Sequence, residues 1–198
     1  MPDRTLVLAS GSPARLRLLR EAGFDPKVVM SGVGEDDVVA DDTPGLTRLL
    51  AERKASAVAD PSGDAIVIGC DSILEFDDRR FGKPTTEAEA FEWLRAMSGR
   101  HGTLYTGHCV IDERTGERVA GVAATIVRFG TTTDDELKAY LATGEAMAVA
   151  GAFTLDGRSA PFVDGVDGDP SNVIGLSLPL FRSLLARLDI SITALWAK

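Results

Sequence analysis

In Ser10-Gly11-Ser12-Pro13-Ala14-Arg15 an apolar run ends, a glycine-containing turn follows and a helical pattern begins. Arg15 then sits in a first helical turn, where backbone partial charge disfavours a cation. A bound anion would reverse that preference. The backbone N–H groups of Gly11, Ser12, Ala14 and Arg15, the hydroxyls of Ser10 and Ser12, and the Arg15 fork are together suited to phosphate oxygens. The plainer reading is a serine cap beside a surface arginine. The GxxxxGK[ST] spacing of a Walker loop is absent.

Four further positions carry charge where the pattern does not ask for it. Leu46, Leu50, Lys54 and Val58 recur every four residues, so Lys54 interrupts an apolar helical stripe. Either its head snorkels to water or it emerges into a cleft. Asp71 follows the apolar run Ala65–Cys70, at the carboxyl end expected of that strand, where α/β proteins place ligands. It could equally form a turn. Lys83 lies in Phe81-Gly82-Lys83-Pro84 and Glu35 in an acidic loop, and each alone reads as solvated. Taken together, Arg15, Lys54 and Lys83 suit a polyphosphate. Glu35 and Asp71 suit Mg²⁺ or Mn²⁺, which take oxygen ligands and share them with substrate phosphates.

The elements that must hold these residues are legible in outline. Thr5–Ala9 reads as a buried strand. Pro13–Ala22 reads as a helix capped by Ser12 and stopped by Gly23. A short strand at Lys27–Met30, an acidic loop over Ser31–Asp42 and a helix from about Pro44 to Ala59 follow. Ala65–Cys70 reads as a central strand, and Ile73–Phe76 with Arg79–Phe81 as a hairpin about Asp77-Asp78. Thr86–Ser98 is a helix with a Thr86/Glu89 capping box. Thr103–Asp112 and Arg118–Phe129 read as a two-stranded antiparallel excursion. A helix at Thr133–Ala142, an irregular glycine-rich stretch over Gly144–Asp169 and an amphipathic helix at Leu178–Leu188 complete an α/β or α+β order with one extended sheet.

Composition narrows the function classes. The 198 residues carry a net charge of −9, which argues against a general nucleic-acid surface. A local cation cluster can still oppose the global sign. Cys70 and Cys109 lie in apolar strand patterns without a CxxC and read as buried thiols. His101 and His108 do not make a metal site by themselves. No apolar stretch approaches the roughly 18 residues of a membrane span, and no signal-peptide pattern opens the chain. A cytoplasmic protein with no membrane partner is expected.

Eight segments, in order and spanning nearly the whole chain, resemble the Maf family of nucleotide pyrophosphatases. They are LASGSPARLRLL, the Glu35 loop, RLLAERKASAVA, IGCDSILEF, GKPTTEAEAFEWLRAMSG, YTGHCVI, AGAFTLDG and GDPSNVIGLSLPL. The resemblance implies an α/β fold: an elongated mixed β-sheet flanked by helices, with two lobes around a deep cleft, as in inosine triphosphate pyrophosphatases. It makes residues 1–198 a single domain of two lobes. It also implies divalent-metal-dependent hydrolysis of nucleoside triphosphates to monophosphate and pyrophosphate, and leaves a homodimer open. Ser10 and Arg15 would grip phosphate, Glu35 would serve the metal or water, and Lys54 and Lys83 would offset phosphate charge. Asp71 resembles the catalytic proton acceptor, and its metal-ligand role stays open.

The chain departs from the family pattern in three places. Ala14 stands where a second basic residue is usual, CDS replaces ADT, and GLSLPL is longer than GLPL. Asp156, in AGAFTLDG, falls on the resemblance's base-side wall, where an acidic residue accompanies the 7-methylguanosine-triphosphate branch and Gln the pyrimidine branch. An ionised carboxylate only accepts hydrogen bonds, so it would pair with guanine's N1–H and N2–H₂. Asp156 could instead simply make a turn with Gly157. The competing function is a non-catalytic nucleotide-binding regulator of cell division, since the family is named for a septum-formation phenotype. A purely structural module would leave Lys54 on its apolar face unexplained.

Overall fold

A computed structural model describes residues 4–35 and 37–197. Among them the chain forms seven strands and six α-helices. In order these are β1 Leu6–Leu8, α1 Pro13–Glu21, β2 Lys27–Val28, α2 Thr43–Val58, β3 Ile66–Phe76, β4 Arg79–Phe81 and α3 Glu87–Met97. Then come β5 His101–Asp112, β6 Arg118–Phe129, α4 Asp134–Leu141, β7 Val163–Asp167, α5 Pro170–Ile174 and α6 Leu178–Arg187. The strands form one mixed sheet in the order β2-β1-β3-β5-β6-β7, with β4 on β3. β1 runs parallel to β2 and β3, whereas β3–β4 and β6–β7 are antiparallel. The α/β expectation of a mixed sheet flanked by helices holds. No described helix is long and apolar enough to cross a membrane.

The chain divides into two compact units. The first takes the chain up to Asp71, Thr106–Ala123 and Gly175 onward; the second takes Ser72–Tyr105 and Ala124–Ile174. In the first, α2 lies on one face of the sheet through small residues. Ala51 and Ala55 pack with Ala9, Val67, Cys109 and Ile111. A Cβ on Gly69 would meet the Ala51 carbonyl oxygen at 2.5 Å, and one on Gly107 the Thr47 carbonyl oxygen at 2.1 Å. Only glycine lets α2 settle backbone-close on β3 and β5. Gly107→Ala should therefore cost about 3 kcal/mol or more in denaturant unfolding, because backbone cannot yield as a side chain can. Gly121→Ala, whose Cβ would meet side-chain methyls alone, the nearest being Leu180 Cδ1 at 3.2 Å, should cost far less. Equal losses would remove the close-approach argument.

The second unit is built on aromatics. Phe129 and Phe153 meet edge to face at 4.9 Å, as do Phe81 and Trp93. The Tyr140 hydroxyl donates to the Ala152 carbonyl at 3.1 Å.

Several local expectations are corrected. β3 does not stop at Cys70; it runs eleven residues, so Asp71 lies half-way along a strand rather than at its end. The strand continues through Asp71, and the acid interrupts only the hydrophobic run. β5 and β6 are interior members of the sheet, not an excursion from it. The Asp77-Asp78 hairpin stands, with φ of 49° and 57° as a two-residue primed turn requires. At α3 the Thr86 hydroxyl accepts from Glu89 N–H at 3.1 Å, but the Glu89 carboxylate turns to Thr85 N–H at 2.7 Å. The reciprocal box forms instead at Thr133 and Glu136, on α4. Cys70 and Cys109 are buried free thiols, each pushed up to about 12 chiefly by burial, which makes them poor nucleophiles.

Candidate active site

Period-two geometry puts Val67, Gly69 and Asp71 on the face of β3 that α2 covers. With Ala51 and Ala55 seated against Gly69, Lys54 lies on the same helical turn and its head reaches Asp71. The Lys54 Nζ donates to Asp71 Oδ1 at 2.5 Å and lies 2.6 Å from Glu35 Oε1. The Lys54 and Asp71 side chains are 12% and 10% exposed, whereas Glu35 is 52% exposed. Lys54 therefore does not snorkel. Its ammonium holds two carboxylates, one buried and one open to solvent.

The Glu35 loop is tied to α2 from a second point. Arg53 donates from both terminal nitrogens to Asp37, at 2.6 and 3.0 Å. Neither residue stood out in the sequence, because sixteen positions separate them and no periodicity links them.

Burial pushes the Asp71 carboxyl above the usual carboxylate range. The Lys54 and Arg15 charges and the Lys54 hydrogen bond pull the other way, and the Glu35 charge adds to the push. Such opposed influences are typical of a group that holds or moves a proton.

Ser10 and Arg15 sit beside this cluster. Parallel pairing of Leu8 with Ile68, continued by Ala9 N–H to the Ile68 carbonyl at 2.8 Å, brings Ser10 level with Cys70. Ser12 caps α1 as expected, accepting from Arg15 N–H at 3.4 Å. Ser12 N–H turns inward to the Ser10 hydroxyl at 3.2 Å. Two of the four backbone donors expected for an anion are thus engaged within the loop. The Arg15 side chain folds back: Nη1 donates to Ser10 Oγ at 3.1 Å and Nε to the Gly175 carbonyl at 2.7 Å.

A residue read as uninformative by itself enters here. His108 is fully buried on β5, with Nδ1 3.0 Å from the Thr106 carbonyl and Nε2 accepting from Ser177 N–H at 2.8 Å. Ser177 caps α6 by accepting from Leu180 N–H at 3.1 Å. The longer GLSLPL segment thus lies in an ordered helix start. The signal for His108 was its place inside the apolar strand run Cys109–Ile111 continues.

Lys83 and Asp156 belong to the second unit. Lys83 is exposed between β4 and α3. Gly151 N–H donates to the Gly82 carbonyl at 2.9 Å, which ties the start of AGAFTLDG to the FGKP loop. Asp156 is exposed, and its Oδ1 accepts from the Thr154 hydroxyl at 2.5 Å in a local turn.

Among the described residues no group of three or more His, Cys, Asp or Glu side chains is gathered as for a metal. Those residues do not build an all-protein metal cage. Glu35 and Asp71 fit the other mode, in which one or two carboxylates and substrate phosphates share a hard divalent cation.

A family model described as Maf-like protein matches residues 5–188. The chain is 59% identical to a protein of Streptomyces coelicolor named nucleoside triphosphate pyrophosphatase, covering 99% of this chain and 96% of that one. It is 54% identical to a Streptomyces avermitilis protein of the same name, covering 98% and 96%. A third protein so named, from Salinispora tropica, is 50% identical, covering 98% of this chain and 88% of its own. Similarity of this extent takes in β1 through α6, including every residue of the Lys54 cluster, and on it the chain belongs to the Maf-like protein family.

Proposed function

We propose that this protein hydrolyses nucleoside triphosphates at the α–β phosphoanhydride, releasing a nucleoside monophosphate and pyrophosphate. The observation that carries this reading is the buried Lys54 ammonium shared by Asp71 and Glu35, with the Arg15–Ser10 pair beside it. The names of the similar proteins support it. Arg15 and Ser10 bind and orient phosphate oxygens, the guanidinium through its planar fork. Asp71 orients a water and takes its proton, so that oxygen bonds to phosphorus as the bridging bond to pyrophosphate breaks. Lys54 keeps Asp71 ionised against its burial and offsets phosphate charge. Glu35 and Asp71 would hold Mg²⁺ or Mn²⁺, which when bound neutralises phosphate charge and polarises the reacting groups. Lys83 is assigned to phosphate charge by family resemblance.

A pyrophosphatase-coupled phosphate-release assay over a nucleotide panel, with and without divalent cation, tests the reading. Metal-dependent pyrophosphate formation is expected. Tight nucleotide binding with no product would make the protein a regulator instead.

Base selection is assigned to Asp156, whose acceptor-only carboxylate favours guanine's paired donors and repels the carbonyl oxygens of uracil and thymine. A bidentate base contact is worth roughly 1–3 kcal/mol, so GTP or 7-methyl-GTP should lead by about tenfold in kcat/KM. Asp156→Gln should shift the ranking toward UTP and dTTP. A wild type that prefers UTP or dTTP, or a ranking unmoved by the substitution, would return Asp156 to its turn with Thr154.

A further inference from the structure

His108 is a buried titratable side chain that the hydrolytic reading does not use. Its protonation pattern follows from its partners. The Thr106 carbonyl can only accept, so Nδ1 carries the proton; Ser177 N–H can only donate, so Nε2 is the acceptor. The ring is therefore a neutral imidazole with both nitrogens committed, spanning from β5 to the turn that starts α6. That turn also carries Gly175, two residues before Ser177, whose carbonyl accepts from Arg15 Nε. Gly175 has φ +124°, a backbone region suited to glycine, and a Cβ there would lie 3.3 Å from Arg15 Nε. One path thus runs by hydrogen bonds from Thr106 through His108 to Ser177, along the backbone to Gly175, and by hydrogen bonds again to Arg15 and Ser10.

We infer that His108 is a positioning residue for Arg15: it pins the Gly175–Ser177 turn, and the Gly175 carbonyl then sets the plane of the guanidinium that faces substrate phosphate. The inference rests on the reading that Arg15 binds that phosphate. A guanidinium recognises phosphate through a planar fork, so its orientation decides whether two donors or one can engage. With Nε on Gly175 and Nη1 on Ser10, two bonds at different atoms fix that plane. Without an acceptor at the position of Nε2, Ser177 N–H is buried and unsatisfied, and the turn must shift to find a partner. A shifted turn carries the Gly175 carbonyl with it. His108 never touches phosphate; it acts on affinity through Arg15.

A double-mutant cycle distinguishes this from simple packing. The probe is equilibrium binding of α,β-methylene-GTP in the presence of Mg²⁺, with GTP turnover and thermal midpoint measured on the same variants. His108→Leu should weaken binding about tenfold, the scale of one charge-assisted hydrogen bond, and raise KM in parallel while kcat stays within about threefold. In an Arg15→Ala background the same substitution should change binding by less than about twofold. His108→Gln offers an amide oxygen to Ser177 and should bring affinity back to within about threefold of wild type. Should His108→Leu fail to fold, His108→Asn takes its place in the cycle, since its shorter amide stays near Thr106 and cannot reach Ser177. Equal losses in both backgrounds, or a lowered thermal midpoint with unchanged affinity, overturns the positioning role. A wild type that binds the analogue yet releases no pyrophosphate from GTP overturns the hydrolytic reading instead, and the binding cycle is still read as stated.

Discussion

Asp71→Asn lowers turnover by at least ~10²-fold, the scale of losing a positioned proton acceptor, and leaves the fold in place. The amide has the shape of the carboxyl and still offers an oxygen to Lys54, so the packing of α2 on β3 is undisturbed. It cannot take a proton from water, and it brings no negative charge to a divalent cation. Circular dichroism and the thermal midpoint should stay near wild type while kcat collapses. Turnover near normal would remove Asp71 from the chemistry and reduce it to a partner for Lys54. Its burial and its bond to Lys54 make the side chain rigid. A rigid acceptor suits a group that must meet a water in one geometry.

Lys54→Met separates a functional lysine from a packing one in the opposite way. Methionine keeps the flexible apolar stem against α2's neighbours and removes only the ammonium. If Lys54 merely covered apolar surface, the substitution would leave activity alone and raise stability. In this structure the Nζ joins Asp71 and Glu35, and removing it leaves a buried carboxylate without its counter-charge. Breaking a buried pair from one side costs about 3 kcal/mol, and turnover should fall by about 10²-fold as Asp71 loses what keeps it ionised. Combining Lys54→Met with Asp71→Asn should return much of the lost stability, because the orphaned charge is then gone. Strictly additive losses would mean the two groups are not coupled, against the geometry.

Lys54 was legible because a charge breaking a four-residue apolar period needs a partner, and the partner proved to be the acid singled out on β3. Asp71 was legible as an acid beside a buried run but was placed at a strand's end. A hydrophobic run ends at Asp71, yet the backbone ladder is indifferent to side-chain polarity and β3 continues to Phe76. Gly69 and Gly107 gave no signal, because what makes them glycine is the backbone of α2, brought against them only by folding. The Arg53–Asp37 tie and the His108–Ser177 bond are likewise long-range. Each joins residues whose local patterns contain nothing of the other. Arg15 was legible as an anomaly in a first helical turn, and its anchors on Ser10 and Gly175 show how that cation is held.

Product identity, followed by ³¹P NMR during hydrolysis of GTP with Mg²⁺, tests cleavage at the α–β bond most directly. Cleavage at the α–β bond produces nucleoside monophosphate and pyrophosphate in equal amounts, with neither nucleoside diphosphate nor orthophosphate accumulating. The wild type should give that outcome and Asp71→Asn should lose it. Nucleoside diphosphate with orthophosphate, the products of β–γ cleavage, would contradict α–β cleavage, as would the absence of any product.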